Sequence, residues 1–216
     1  KPEDFEGLYG DFDRPPATFD CGKKCSPYND GAPFCCDSGW AVPIGYVQEW
    51  KFLKQRTKLW HRYRPTKADG LKIVEELDPK YSVAIECRGV QHCERHNRSI
   101  SCRTFPFEPY LDKEGTLLGL IYNRVLEDKC YLVDRPSVVT KQFIRSSLQF
   151  WERLFEIHPS EREVYTLQSR IQRQQMSRRN KPLIVLTLDG PYRAALRGGK
   201  LIKPVTPREP RYRPKV

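Results

Sequence analysis

Eight cysteines in 216 residues constrain this chain more than any other feature. Cys21, Cys25, Cys35 and Cys36 crowd one short segment, and Cys87, Cys93, Cys102 and Cys130 form a looser second group. Thiols at this density end as metal ligands or as disulfides, and the redox compartment decides between them. No apolar run approaches the roughly 18 residues of a membrane span, and Lys1 to Tyr9 is acidic and mixed rather than signal-like. The expected location is therefore cytoplasmic, where thiols stay reduced and a dense cluster favours soft-metal ligation. A secreted disulfide protein is the competing reading.

The chain is long enough to bury a core without staples, so a metal would add to stability rather than replace a core. The net charge of +11 is unevenly placed: residues 1–140 hold 21 Lys and Arg against 21 Asp and Glu, and residues 141–216 hold 17 against 6. A neutral cysteine-bearing body with a basic C-terminal region fits an acidic partner, either nucleic acid or an acidic protein surface. A solubilising basic face has the same composition.

The pattern along the chain reads as α+β: a loop-rich metal-binding cysteine-cluster body with short strands, then two helices, a strand and an extended basic tail. Residues 1–17, with Arg14-Pro15-Pro16, show no period and read as an extended arm. Residues 18–135 form the cysteine-cluster domain, 136–190 a helical part packed on it, and 191–216 a Pro-rich basic tail. Within the body, turn formers surround the first cysteines, and Val47, Trp50, Leu53, Leu59 and Trp60 place a helix over residues 44–63. Leu71 to Leu77 is a short helical turn, Tyr81 to Glu86 a strand running into Cys87, and Thr116 to Tyr122 another strand. Ile144, Leu148, Trp151 and Phe155 give one helix face, ended by Pro159. Ser160 with Glu163 is a capping-box pattern for a second helix through Ile171, beyond which the apolar stripe is lost. Leu183 to Leu188 is a strand closed by Asp189-Gly190.

All eight cysteines are candidate ligands, because thiolates are soft, charge-neutralising donors and four of them satisfy a tetrahedral zinc or a [4Fe–4S] iron–sulfur cluster. Eight thiols allow two four-ligand sites, one cluster with spare thiols, or a mixture. They outnumber what one zinc requires, which leans the reading toward iron–sulfur. Adjacent Cys35 and Cys36 are expected to point apart, so that one of the pair serves a different ion or none. His92 and His96 flank Cys93 and are alternative ligands, whereas His61 and His158 lie in or beside helices. Arg103 and Lys129 adjoin proposed ligands, where a cation would offset thiolate charge. Phe105, Pro106, Phe107 and Tyr110 are expected to wall water from the centre.

The run Cys102-Arg103-Thr104-Phe105-Pro106-Phe107, preceded by Cys87 and Cys93 and by a group ending in Cys35-Cys36, resembles the CxxCxxCC zinc- or iron-chelating family, the YkgJ-type cysteine-cluster proteins. The resemblance covers about residues 18–135. The upstream group here reads Cys-x3-Cys-x9-Cys-Cys, with an insertion around Tyr28 to Pro33, and residues 94–101 lack the family's Arg-Pro pair. The resemblance implies a metal centre, zinc or iron–sulfur, and a relative with an assigned activity, flagellin lysine-N-methylase.

Three functions follow as expectations. The first is a structural metal site that presents the helices and basic tail to a partner. The second is an iron–sulfur-dependent protein-modifying enzyme, although no glycine-rich cofactor loop and no nucleophile–base pair accompanies the cysteines. The third is a nucleic-acid-binding module using Arg170, Arg173, Arg178, Arg179, Lys181 and the stretch from Arg193 to Lys215, interleaved with Tyr192 and Tyr212.

Overall fold

A computed structural model describes residues 1–12, 14–206 and 209–214. The chain is α+β, with seven α-helices and two antiparallel sheets among the described residues. The smaller sheet has strand order β1-β3-β2, from Ile44–Tyr46 (β1), Trp60–Arg62 (β2) and Ser82–Cys87 (β3). The larger sheet runs in sequence order through Phe107–Leu111 (β4), Leu117–Tyr122 (β5), Ile184–Thr187 (β6), Gly190–Ala194 (β7) and Leu201–Pro204 (β8).

The main core is organised by the helix Lys141–Ile157 (α6). Phe143, Ile144, Ser147, Phe150, Trp151, Leu154 and Phe155 recur three or four apart from turn to turn and are all buried, the spacing that puts them on one stripe. Thr140 starts the helix, its side chain accepting the Phe143 N–H at 3.1 Å. Pro159 occupies the first turn of the next helix, Pro159–Arg178 (α7), where its missing N–H costs nothing. The capping box expected from Ser160 and Glu163 does not form, because the helix begins two residues earlier and His158 is its N-cap. α7 also outlasts its apolar stripe: Arg173 and Met176 are buried, with the Arg173 guanidinium donating to the Tyr110 hydroxyl and the Leu111 carbonyl, each at 3.1 Å.

Residues 1–17 are not an extended arm. Asp4–Asp11 is a helix (α1) that buries Phe5, Leu8 and Tyr9, and Phe12 stacks on Phe150 with ring centroids 5.1 Å apart. The segment has no Pro or β-branched residue between Asp4 and Phe12, and this apolar face repays the ordering of a short helix that is marginal alone. The expected helix over 44–63 divides into β1, the helix Val47–Arg56 (α3) and β2. Glu49 closes α3 at its start: its buried carboxylate accepts the Tyr46 N–H at 3.3 Å, the Ile100 N–H at 2.6 Å and the Tyr9 hydroxyl at 2.5 Å. The shorter helix Ala68–Glu75 (α4) and the strand into Cys87 match the sequence pattern.

Residues 191–216 are likewise not a simple tail. They supply most of β7 and all of β8, with Arg193 paired to Lys203. The large sheet therefore joins strands from both sides of residues 135 and 190. β5 approaches β6 closely at Gly119, where a Cβ would lie 2.5 Å from the Leu186 carbonyl oxygen, so only glycine fits there.

Candidate metal centre

The cysteines are delivered by short, side-chain-staked turns rather than by long elements. Cys21 precedes the four-residue helix Gly22–Cys25 (α2), whose first N–H donates to Asp20 Oδ1 at 3.0 Å. Cys25 closes that turn and its thiol donates to the Gly22 carbonyl at 3.5 Å. The insertion around residues 28–33 is folded by Asn29, which donates to the Ala32 carbonyl at 3.2 Å and to Asp37 at 3.1 Å and accepts the Trp40 indole N–H at 2.9 Å. That scaffold holds the tight 3-10 turn Phe34–Cys36, which carries both adjacent cysteines.

Cys87 ends β3 opposite Trp60, and Gly89, at φ +94°, turns the chain toward Cys93. The loop after Cys93 is pinned by Glu94, which accepts from the Thr57 hydroxyl at 2.7 Å and from the Asn97 amide at 2.5 Å. Ser99 caps the helix Ile100–Thr104 (α5) by accepting the Cys102 N–H at 3.3 Å. Cys130 follows a turn closed by its own N–H on the Leu126 carbonyl at 2.8 Å.

Distant stretches of chain thus place cysteines around common space. Cys21, Cys25, Cys35 and Cys130 border one cavity of about 20 Å³, walled by Phe34, Phe105, Leu126 and Tyr131. Cys36, Cys87, Cys93 and Cys102 are linked through their mutual electrostatics: Cys36 and Cys87 both push the Cys102 thiol up, and Cys36 and Cys93 push Cys87 up. Cys35 and Cys36 join the two sets. Each acts on the ionisation of the other: Cys36 holds the Cys35 thiol up, and Cys35 holds Cys36 down. All eight cysteines are free thiols, and among the described residues no three His, Cys, Asp or Glu side chains stand in ligating geometry.

Burial pushes Cys21 up to about 11, and Cys102 and Cys130 each to about 12, from an ordinary 9.0. Cys35 is also raised, by its hydrogen bond to Cys36 and then by burial. Cys36 moves the other way, to about 7, because the Cys35 thiol stabilises its thiolate and the Arg98 cation adds to the effect. The metal-free chain consequently has a defined alkaline weakness. A group whose folded pKa is raised favours the fold fully below its unfolded value near 9 and loses that contribution as pH climbs toward 11–12. Urea midpoints of reductively demetallated protein should therefore fall steadily from pH 9 to 11, and a flat profile would contradict the thiol burial.

The cation beside the sulfurs is Arg98, which donates from Nε to Cys93 Sγ at 3.1 Å and feels Cys102 and Cys36 as well. Arg103, the sequence candidate, points to the backbone of other segments: its guanidinium donates to the carbonyls of Phe12, His96 and Arg98. Lys129 lies over the Trp40 ring at 4.4 Å and pairs with Asp128. His92 and His96 are exposed, and His61 is half exposed at 3.8 Å from Glu86. His158 stacks on Tyr46. Of the expected aromatic wall only Phe105 borders the cavity. Phe107 belongs to the main core, Tyr110 to the core beneath α7, and Pro106 is buried away from the cavity lining.

The cavity wall is backed from the far end of the chain. Tyr212 donates to the Lys129 carbonyl at 2.8 Å, packs edge-on to Tyr131 at 5.1 Å, and joins the cluster of Cys25, Phe34 and Leu126. Arg135 holds this segment by donating to the Pro210 carbonyl. Neither contact has a local sequence signal. Ser99 does, since a serine three residues before Cys102 is the spacing of a helix cap.

The basic run is partly consumed inside the fold: Arg173 is buried, Arg179 pairs with Glu127 at 2.8 Å, and Tyr212 is tucked in. Arg208 and Lys215 lie outside the described residues. No helix among the described residues is long and apolar enough to cross a membrane. Compared with protein-family models, curated proteins and solved structures, the chain matches none.

Proposed function

We propose that this chain is a metal-binding cysteine-cluster protein of the YkgJ type, acting in a reducing compartment such as the cytoplasm, whose centre is structural and supports an interaction module. The observation that carries this reading is the first thiol set: Cys21, Cys25, Cys35 and Cys130 share one small cavity with an apolar wall. Reduced thiols pressed together in an apolar enclosure gain nothing from each other, and a soft cation relieves their mutual repulsion on ionisation. The donor chemistry fits zinc or iron–sulfur.

Cys36, Cys87, Cys93 and Cys102 would hold a second ion, with Arg98 offsetting part of the charge that four thiolates leave on a divalent metal. A bound ion supplies cross-links between α2, the 34–36 turn, β3, α5 and the 126–130 turn, segments with little regular structure of their own. The exposed cations Arg193, Arg197, Lys200 and Lys203 on the β7–β8 hairpin, with Arg211 and Arg213, remain available to an acidic partner.

Anaerobic titration of the reduced, metal-free protein with cobalt(II) tests the reading. Intense thiolate-to-cobalt absorption that saturates near two equivalents and is bleached by zinc is expected. Cobalt bound without thiolate bands would refute a cysteine centre.

A further inference from the structure

α7 is packed against the body through Ser169, Arg173 and Met176, yet it carries a second apolar stripe on its outside. Val164, Leu167 and Ile171 are 48%, 50% and 38% exposed. They fall three and four residues apart, so they share one face over two turns. Ser160 extends that stripe by one turn, and Glu161, Glu163, Gln168 and Arg170 flank it.

We propose that this face is a self-association surface on which α7 of a second copy lies antiparallel, related by a two-fold axis. The charges that flank the stripe favour this partner. With Val164 of one copy against Leu167 of the other, Ile171 meets Ser160 and the flanking positions set Glu163 against Arg170. A two-fold axis makes each of these contacts twice. On the other flank Glu161 faces Gln168, so no like charges meet. A register shifted by one heptad sets Arg170 against its own symmetry mate, and a parallel pairing leaves Glu163 and Arg170 opposite glutamines. One pattern on one helix is thus self-complementary in a single arrangement, the property an isologous interface needs. The inference does not depend on the thiol sites.

Three exposed apolar side chains per copy make a small interface, so the dimer should be weak, with a dissociation constant of about 10–300 µM. Sedimentation velocity of the full chain in reductant, from about 10 µM to 1 mM, reads it directly. Reversible dimerisation is expected, with L167E monomeric throughout and its circular dichroism unchanged, since the position is exposed. E163R and R170E should each weaken the dimer roughly tenfold, and the combined variant should restore it. A chain monomeric at the highest concentration overturns the proposal and leaves the stripe to a partner of different sequence. A dimer that survives L167E, or a combined variant no better than the single ones, overturns it as well.

Discussion

Replacing Cys130 with serine is expected to remove about half of the bound metal and leave the other half in place. Cys130 borders the cavity it shares with Cys21, Cys25 and Cys35, whereas Cys36, Cys87, Cys93 and Cys102 form the other set. Serine is nearly isosteric but a far poorer ligand for soft metals, so the change removes a donor without opening a cavity. Cys87→Ser should do the same to the second set, and the double variant should retain no metal. Ligation in structural zinc sites is worth on the order of 10 kcal/mol, so each single variant should also lower the unfolding midpoint sharply. Metal content per chain, measured on anaerobically purified variants, checks this. Retention of all metal in Cys130→Ser, or complete loss in either single variant, would contradict two separable sets.

Replacing Arg103 with methionine is expected to destabilise the fold by about 2–4 kcal/mol, whatever the metal state. The side chain is only 9% exposed, its guanidinium lies over the Tyr9 ring at 4.3 Å, and it donates to backbone carbonyls of Phe12, His96 and Arg98. Methionine fills much of the volume but leaves those carbonyls without a donor, and each buried unsatisfied group costs about 1–3 kcal/mol. The loss should release α1 first, because Arg103 ties the end of that helix to the loop between Cys93 and Cys102. Urea unfolding compares the variant with the parent chain. A change below about 1 kcal/mol would show that the clamp is dispensable.

Both results turn on segments the sequence describes unevenly. The α6 stripe, the end of β3 at Cys87 and the turn into β7 are legible because local periodicity and turn chemistry decide them. α1 is not legible: it is short and Pro-flanked, and its helicity is decided by burying Phe5, Leu8 and Phe12 against other elements. β7 and β8 read as a tail because they are basic and Pro-containing, and β8 is an edge strand of the sheet, where exposed charge is favourable and apolar alternation is absent. At the candidate centre the residue types were legible and their grouping was not. Chain order suggests a 21–36 group and an 87–130 group, yet Cys130 lines the cavity of Cys21, Cys25 and Cys35, and Cys36 acts electrostatically on Cys87 and Cys102. The tight 34–36 turn carries both neighbouring thiols at one bend. Arg98, five residues beyond Cys93, reaches back to it through a loop whose shape is set by Glu94 and Asn97.

The most direct measurement is elemental analysis of freshly and anaerobically purified protein, combined with counting of thiols that react under native conditions. The expected result is thiolate-bound zinc or iron, with most of the eight cysteines protected until a chelator or denaturant releases the metal. Metal-free protein whose thiols all react at once, or whose cysteines are joined pairwise as disulfides, would contradict a metal centre.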